Sequence, residues 1–172
     1  FIAYSMVINS KEDSSLLMAN YYLEKLKNRN GEKENYMRFL HLKGIVFYRT
    51  NKTKESINTY YDLLNTAQRF NDTSYILIAN RGISLAYILN GQDREGIKIF
   101  NSAIQLIGKN VPEKYREIYG LLQINATTSY LHLYQSSGLK LYSDSCGYYG
   151  NNVVEIGRKI ENLFMICHGL IL

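Results

Sequence analysis

Two stretches decide the fold: residues 44–60, GIVFYRTNKTKESINTY, and residues 87–103, YILNGQDREGIKIFNSA. In the first, Phe47, Asn51, Ser56 and Tyr60 form a series of aromatic, turn residue, small residue and aromatic. Tyr87, Gly91, Gly96 and Phe100 repeat the series at the same spacing 40 residues later. Each position has a physical task. Asn51 or Gly91 can take the left-handed conformation that reverses the chain between two helices. Ser56 or Gly96 lets the second helix come close to the first, and the aromatics fill the space between the helices and toward the next pair. A plain amphipathic bundle gives heptad-like stripes, not this four-part pattern at matched positions.

The surrounding sequence is helical as well. Tyr75, Ile78, Ala79, Leu85, Ala86 and Leu89 follow the three-and-four spacing of a buried helix stripe, and so do Ile97, Phe100, Ala103, Ile104 and Ile107. Helix starts are expected at Asp13/Ser14, Thr53, Asp72/Thr73, Asp93 and Pro112, which offer an acceptor for free amides or, in the proline's case, a preset φ. Asn30-Gly31, Asn51-Lys52 and Asn90-Gly91 mark breaks. No alternating strand pattern competes. The sequence predicts an all-α chain of consecutive antiparallel helix pairs.

These residues resemble the tetratricopeptide repeat family. Tyr87, Gly91, Gly96, Phe100 and Ala103 lie close to its signature, and Gly44, Phe47, Asn51, Ser56 and Tyr60 form a second copy that keeps the family's glycine in the first helix. Ala19, Leu23 and Leu26 look like the second helix of an earlier copy whose first helix would be residues 1–10. Tyr130, Tyr134 and Gly138 look like the first helix and turn of a later one. The 37–40 residue stride is similar to the longer-helix variants in bacterial sensory and regulatory proteins. The resemblance implies a right-handed superhelical α-solenoid, with repeats near 1–30, 32–70 and 72–108 and a partial one at 112–138. Residues 139–172 are then an atypical capping segment with a helix near 152–168, preceded by a helix-breaking run, Cys146-Gly147-Tyr148-Tyr149-Gly150.

The resemblance also implies a protein- or peptide-binding scaffold whose concave groove is lined by the first helix of each pair. Register puts Arg38, His41, Ile45 and Tyr48 there from one repeat, and Ile78, Arg81, Leu85 and Ile88 from the next. The partial repeat adds Asn125, Thr128, His132 and Gln135. Arg38, His41 and Arg81 are candidate donors to carboxylates, and Tyr48 offers stacking area or a hydroxyl. Ile45 and Leu85 stand where the family's carboxylate clamp uses asparagines, which argues against a clamp for a chaperone C-terminus.

The 172 residues suit one compact unit, and 46% hydrophobic with 20% charged residues excludes a disordered chain. Net charge is +5, with ten Lys/Arg against six Asp/Glu in residues 1–60 and ten against nine in the rest. No run of five basic residues occurs, which argues against nucleic acid, although a nucleic-acid-binding repeat using the basic N-terminal third stays open, as does a self-associating scaffold. Enzymatic signals are weak. His41, His132 and His168 fit no HExxH or nucleophile-elbow pattern, no phosphate loop is present, and Cys146 and Cys167 lack CxxC spacing. The expectation is a non-catalytic module with no cofactor and no metal. Beginning at Phe1, the chain reads as a fragment or processed product. Its apolar ends, 1–8 and 163–172, read as packed helices rather than membrane spans, with the cytoplasm the expected compartment.

Overall fold

The computed structural model describes residues 12–27, 29–108 and 111–171. Among them run eight α-helices: α1 (Glu12–Leu26), α2 (Lys33–Arg49), α3 (Thr53–Arg69), α4 (Thr73–Leu89), α5 (Asp93–Ile107), α6 (Arg116–Ser137), α7 (Lys140–Lys159) and α8 (Leu163–Ile171). Single 3-10 turns, Asn30–Glu32 and Glu113–Tyr115, lead into α2 and α6. No strand occurs among the described residues, so the chain is all-α, and helices that follow one another within a unit pack together. The helix expected over residues 1–10 lies outside the described residues. Contacts divide the molecule into two compact units, the first ending at Ala86 and the second beginning at Tyr87, within α4.

The turns explain why helices of such similar length recur. Asn51, Asn71, Gly91 and Glu161 all have left-handed backbone, with φ of 57°, 53°, 69° and 55°. At each, the following N–H bonds back five residues: Lys52 to Phe47, Asp72 to Ala67 and Gln92 to Tyr87, all 2.9 Å, and Asn162 to Gly157 at 2.8 Å. A second bond closes the turn residue's own N–H onto the carbonyl three residues before it. This is the Schellman motif, which satisfies carbonyls that a helix end otherwise leaves open. The next helix starts two residues after each turn residue. Asp72 and Asn162 also cap these helices, their side-chain oxygens accepting the N–H of Tyr75 and Met165 at 3.1 Å. Asn51 and Gly91 thus adopt the conformation their residue types suggest. Asn71 supplies a third such turn midway between them.

In the first unit, α1 buries Ala19 and Leu23 against α2, and α2 packs on α3. Ser56 is fully buried and its Oγ donates to the Gly44 carbonyl at 3.1 Å, which ties α3 to α2. In the second unit, α6 packs between α5 and α7, and α8 closes on α7. Ile124, Val153 and Met165 form its core, flanked by Leu121, Ile156 and Ile160.

Two expectations for the C-terminal region need correction. The run from Cys146 to Gly150 does not break a helix, since α7 is continuous from Lys140 to Lys159. A glycine inside a helix costs only about 1 kcal/mol relative to alanine, and the burial of Cys146, Gly150, Val153 and Val154 outweighs that. The helix expected near 152–168 is two helices, parted by the turn at Glu161. Gly138 is left-handed too, φ 69°, but its N–H bonds to Tyr134 four residues back at 2.7 Å, a simpler closure than at the other four turns.

Candidate functional site

The first unit is organised around one ring. Tyr60 projects from α3 and is 4% exposed, with Gly44 of α2 on one side and Gly82 of α4 on the other. A Cβ on Gly44 would stand 2.7 Å from the ring, and one on Gly82 would overlap it. Neither glycine can therefore carry a side chain without moving the tyrosine. Burial holds the Tyr60 phenol proton far more tightly than usual, and Arg81 only partly offsets this.

Three sequence-predicted residues, His41, Tyr48 and Arg81, gather around that ring. The His41 ring centroid lies 5.9 Å from that of Tyr60. Burial, reinforced by the positive charge of Arg81, pulls the His41 pKa down to about 4, so the imidazole is neutral near pH 7. Its Nδ1 has no hydrogen-bond partner among the described residues. Arg81 and Tyr48 both act electrostatically on the Tyr60 hydroxyl. Arg38 pairs with Glu34 at 3.1 Å and hydrogen-bonds Tyr75, whose own pKa is raised chiefly by burial. Two polar groupings thus link α2 to α4: His41 and Tyr48 with Arg81, around Tyr60, and Arg38 with Tyr75. Ile45, Ile78 and Leu85 are half-buried on the same two helices.

The candidates in the second unit are arranged differently. Thr128 turns its hydroxyl back onto the Ile124 carbonyl at 3.0 Å. His132 meets Asp93 through Nδ1 and Oδ1 at 3.0 Å, beside an open cleft of about 870 Å³ that Gln135 also lines. Ile88 is 5% and Asn125 3% exposed. Asn125 is a core residue, a correction to its expected place on a groove, whereas Ile88 still reaches the edge of that cleft. Their helices carry buried residues on more than one face, so a three-and-four register alone does not separate groove from core.

Sequence reading took Tyr60 for packing alone and missed Tyr75. The available signal was Gly82, a second glycine on a first helix that, like Gly44, makes room for a neighbour's ring. Among the described residues no His, Cys, Asp and Glu group could hold a metal ion, and no helix is long and apolar enough to cross a membrane. Cys146 is buried, which pushes its thiol pKa up and lowers its reactivity, and Cys167 is exposed. No family model matches the chain, and no curated protein matches it as a relative.

Proposed function

We propose that this chain is a tetratricopeptide-like, non-catalytic binding module that recognises an acidic protein or peptide segment, as the sensory or scaffold part of a cytoplasmic bacterial regulator. The observation that carries the reading is a pair of polar groupings on α2 and α4, with His41, Tyr48 and Arg81 around Tyr60 and Arg38 bonded to Tyr75. Two guanidinium groups supply charge-assisted donors for carboxylates. The tyrosines add area and hydroxyls at small entropic cost, and the neutral His41 adds no third repelling charge. The matched turns at Asn51 and Gly91, with the Ser56–Gly44 contact, support the repeat assignment.

The test uses a fluorescent hexaglutamate peptide followed by anisotropy. Arg38→Glu and Arg81→Gln should each weaken binding about tenfold or more, the loss expected for a charge-assisted hydrogen bond, with helical circular dichroism unchanged. Undiminished binding by both variants overturns the assignment. A second reading, a self-associating scaffold, is favoured by the apolar surface of α8, where Leu163, Phe164, Leu170 and Ile171 are all more than 60% exposed. It requires a mass in light scattering that rises with concentration and falls in a Phe164→Ser variant.

A further inference from the structure

In the first unit a cavity of about 340 Å³ lies at the end of α1, the start of α2 and the end of α3. Lys27, Arg29, Lys33 and Arg69 line it, with Tyr36 and Phe70, and no acidic side chain does. None of the four cations forms an ion pair with a carboxylate among the described residues. Helix dipoles account for two of them, because Lys27 follows the C-terminus of α1 and Arg69 ends α3, where positive charge is favoured. The same rule disfavours the other two. Lys33 opens α2 and Arg29 precedes its 3-10 lead-in. The Phe70 ring holds cations from both ends together, with Lys33 Nζ at 4.4 Å and the Arg69 guanidinium at 5.7 Å from its centroid.

Like charges converging on one small space, two of them at an unfavourable helix end, are relieved by an anion. We propose that this cavity binds the phosphoryl group of a small phosphate ester or diphosphate, with Lys33 and Arg69 as its principal contacts and Arg29 and Lys27 at the rim. Tyr36 is the neutral donor of the site. Burial, reinforced by the charges of Asp62 and Glu24, keeps its phenol protonated, so it gives a hydrogen bond to a phosphate oxygen. Thr66 is not a donor here, since its hydroxyl is bonded to the Asp62 carbonyl at 2.8 Å. The volume suits a compact anion with a small organic body.

The test is calorimetric titration of the whole chain with inorganic pyrophosphate, together with its melting temperature against sodium chloride at matched ionic strength. Pyrophosphate should bind with a Kd between roughly 10 μM and 1 mM and raise the melting temperature more than chloride does. Lys33→Gln and Arg69→Gln should each weaken binding about tenfold, and the ligand-free Lys33→Gln variant, freed of a cation at an unfavourable helix end, should melt no lower than the parent. All four cations are exposed, and Lys27→Gln, which changes a residue outside the helices, should weaken it less and serves if either of the others folds poorly. An equal effect of chloride, or full binding by the variants, overturns the proposal. So does binding of an oligonucleotide, with a salt slope above about 4, that pyrophosphate does not displace; that result marks an extended basic surface instead.

Discussion

The two units both use glycine to bring helices together, but they fill the resulting space differently. In the first, Gly44 and Gly82 enclose Tyr60, an apolar ring with a polar tip. In the second, Gly120 of α6 and Gly157 of α7 enclose Met165, where added Cβ atoms would stand 2.7 Å and 2.9 Å from its side chain. Close by, Gly150 and Gly169 let the α7 and α8 backbones nearly touch. Met165 is fully buried and brings no polar group to the surface. A tyrosine in the same role places a hydroxyl next to Arg81, His41 and Tyr48. The choice of filler thus separates a unit whose packing ring carries a polar tip from one whose packing side chain carries none.

The strongest way to break this comparison is to remove the fillers. Tyr60→Ala should cost about 3–5 kcal/mol and Met165→Ala about 2–5 kcal/mol in urea unfolding. Tyr60→Phe should keep most of the stability yet weaken hexaglutamate binding, while Met165→Leu should leave that binding unchanged. If Tyr60→Phe binds as well as the parent, the ring is filler and nothing more. The next effect comes from Gly82→Ala. Alanine is worth about 1 kcal/mol over glycine in a helix, but the clash with Tyr60 should leave a net loss of about 1–3 kcal/mol. Tyr60→Leu in the same chain should recover part of that loss, giving a positive coupling in a double-mutant cycle. Additive losses would show that Gly82 and Tyr60 do not constrain each other.

A smaller effect depends on pH. The folded His41 has its pKa lowered to about 4 from an ordinary 6.5, so between those values the unfolded chain binds more protons than the folded one. Its contribution to stability is complete above about pH 6.5 and is lost as pH falls toward 4. Between pH 7 and 5 the loss should be on the order of 1–2 kcal/mol. His41→Gln should flatten that part of the stability profile, and an unchanged slope would mean the imidazole is solvated. The smallest effect concerns the turns. Glu161 holds a left-handed φ of 55° where Gly91 stands in the matching turn. Glu161→Gly should therefore gain up to about 1 kcal/mol, and Gly91→Ala should lose about as much. The two shifts in melting temperature should have opposite signs.

Much of the helical layout was legible before any coordinates, because it rests on local chemistry. Asn51 and Gly91 can take positive φ, the buried stripes around Ile97–Ile107 repeat at helical spacing, and helices begin at Thr53, Thr73 and Asp93. Lys52 and Gln92, however, stand at the caps before Thr53 and Asp93, and only Asp72 supplies the expected acceptor. The Cys146–Gly150 run was misread for an equally clear reason. Glycine content predicts a break from backbone freedom alone, whereas Gly150 is placed by its approach to Gly169, far along the chain. Glu161 gave no warning of a turn, since glutamate seldom takes positive φ and the turn is fixed by closure onto Arg158 and Gly157.

What the sequence determined by itself was helical identity, most boundaries and the paired turns, since hydrogen bonds within five residues and side-chain periodicity decide those. Which polar groups meet was settled only in three dimensions. Arg38 reaches Tyr75, His41 senses Arg81, and Arg69 joins Lys33 across a stretch that carries both acids and bases. Electrostatic interaction follows distance in space and the dielectric around each group, and neither is written in the order of residues.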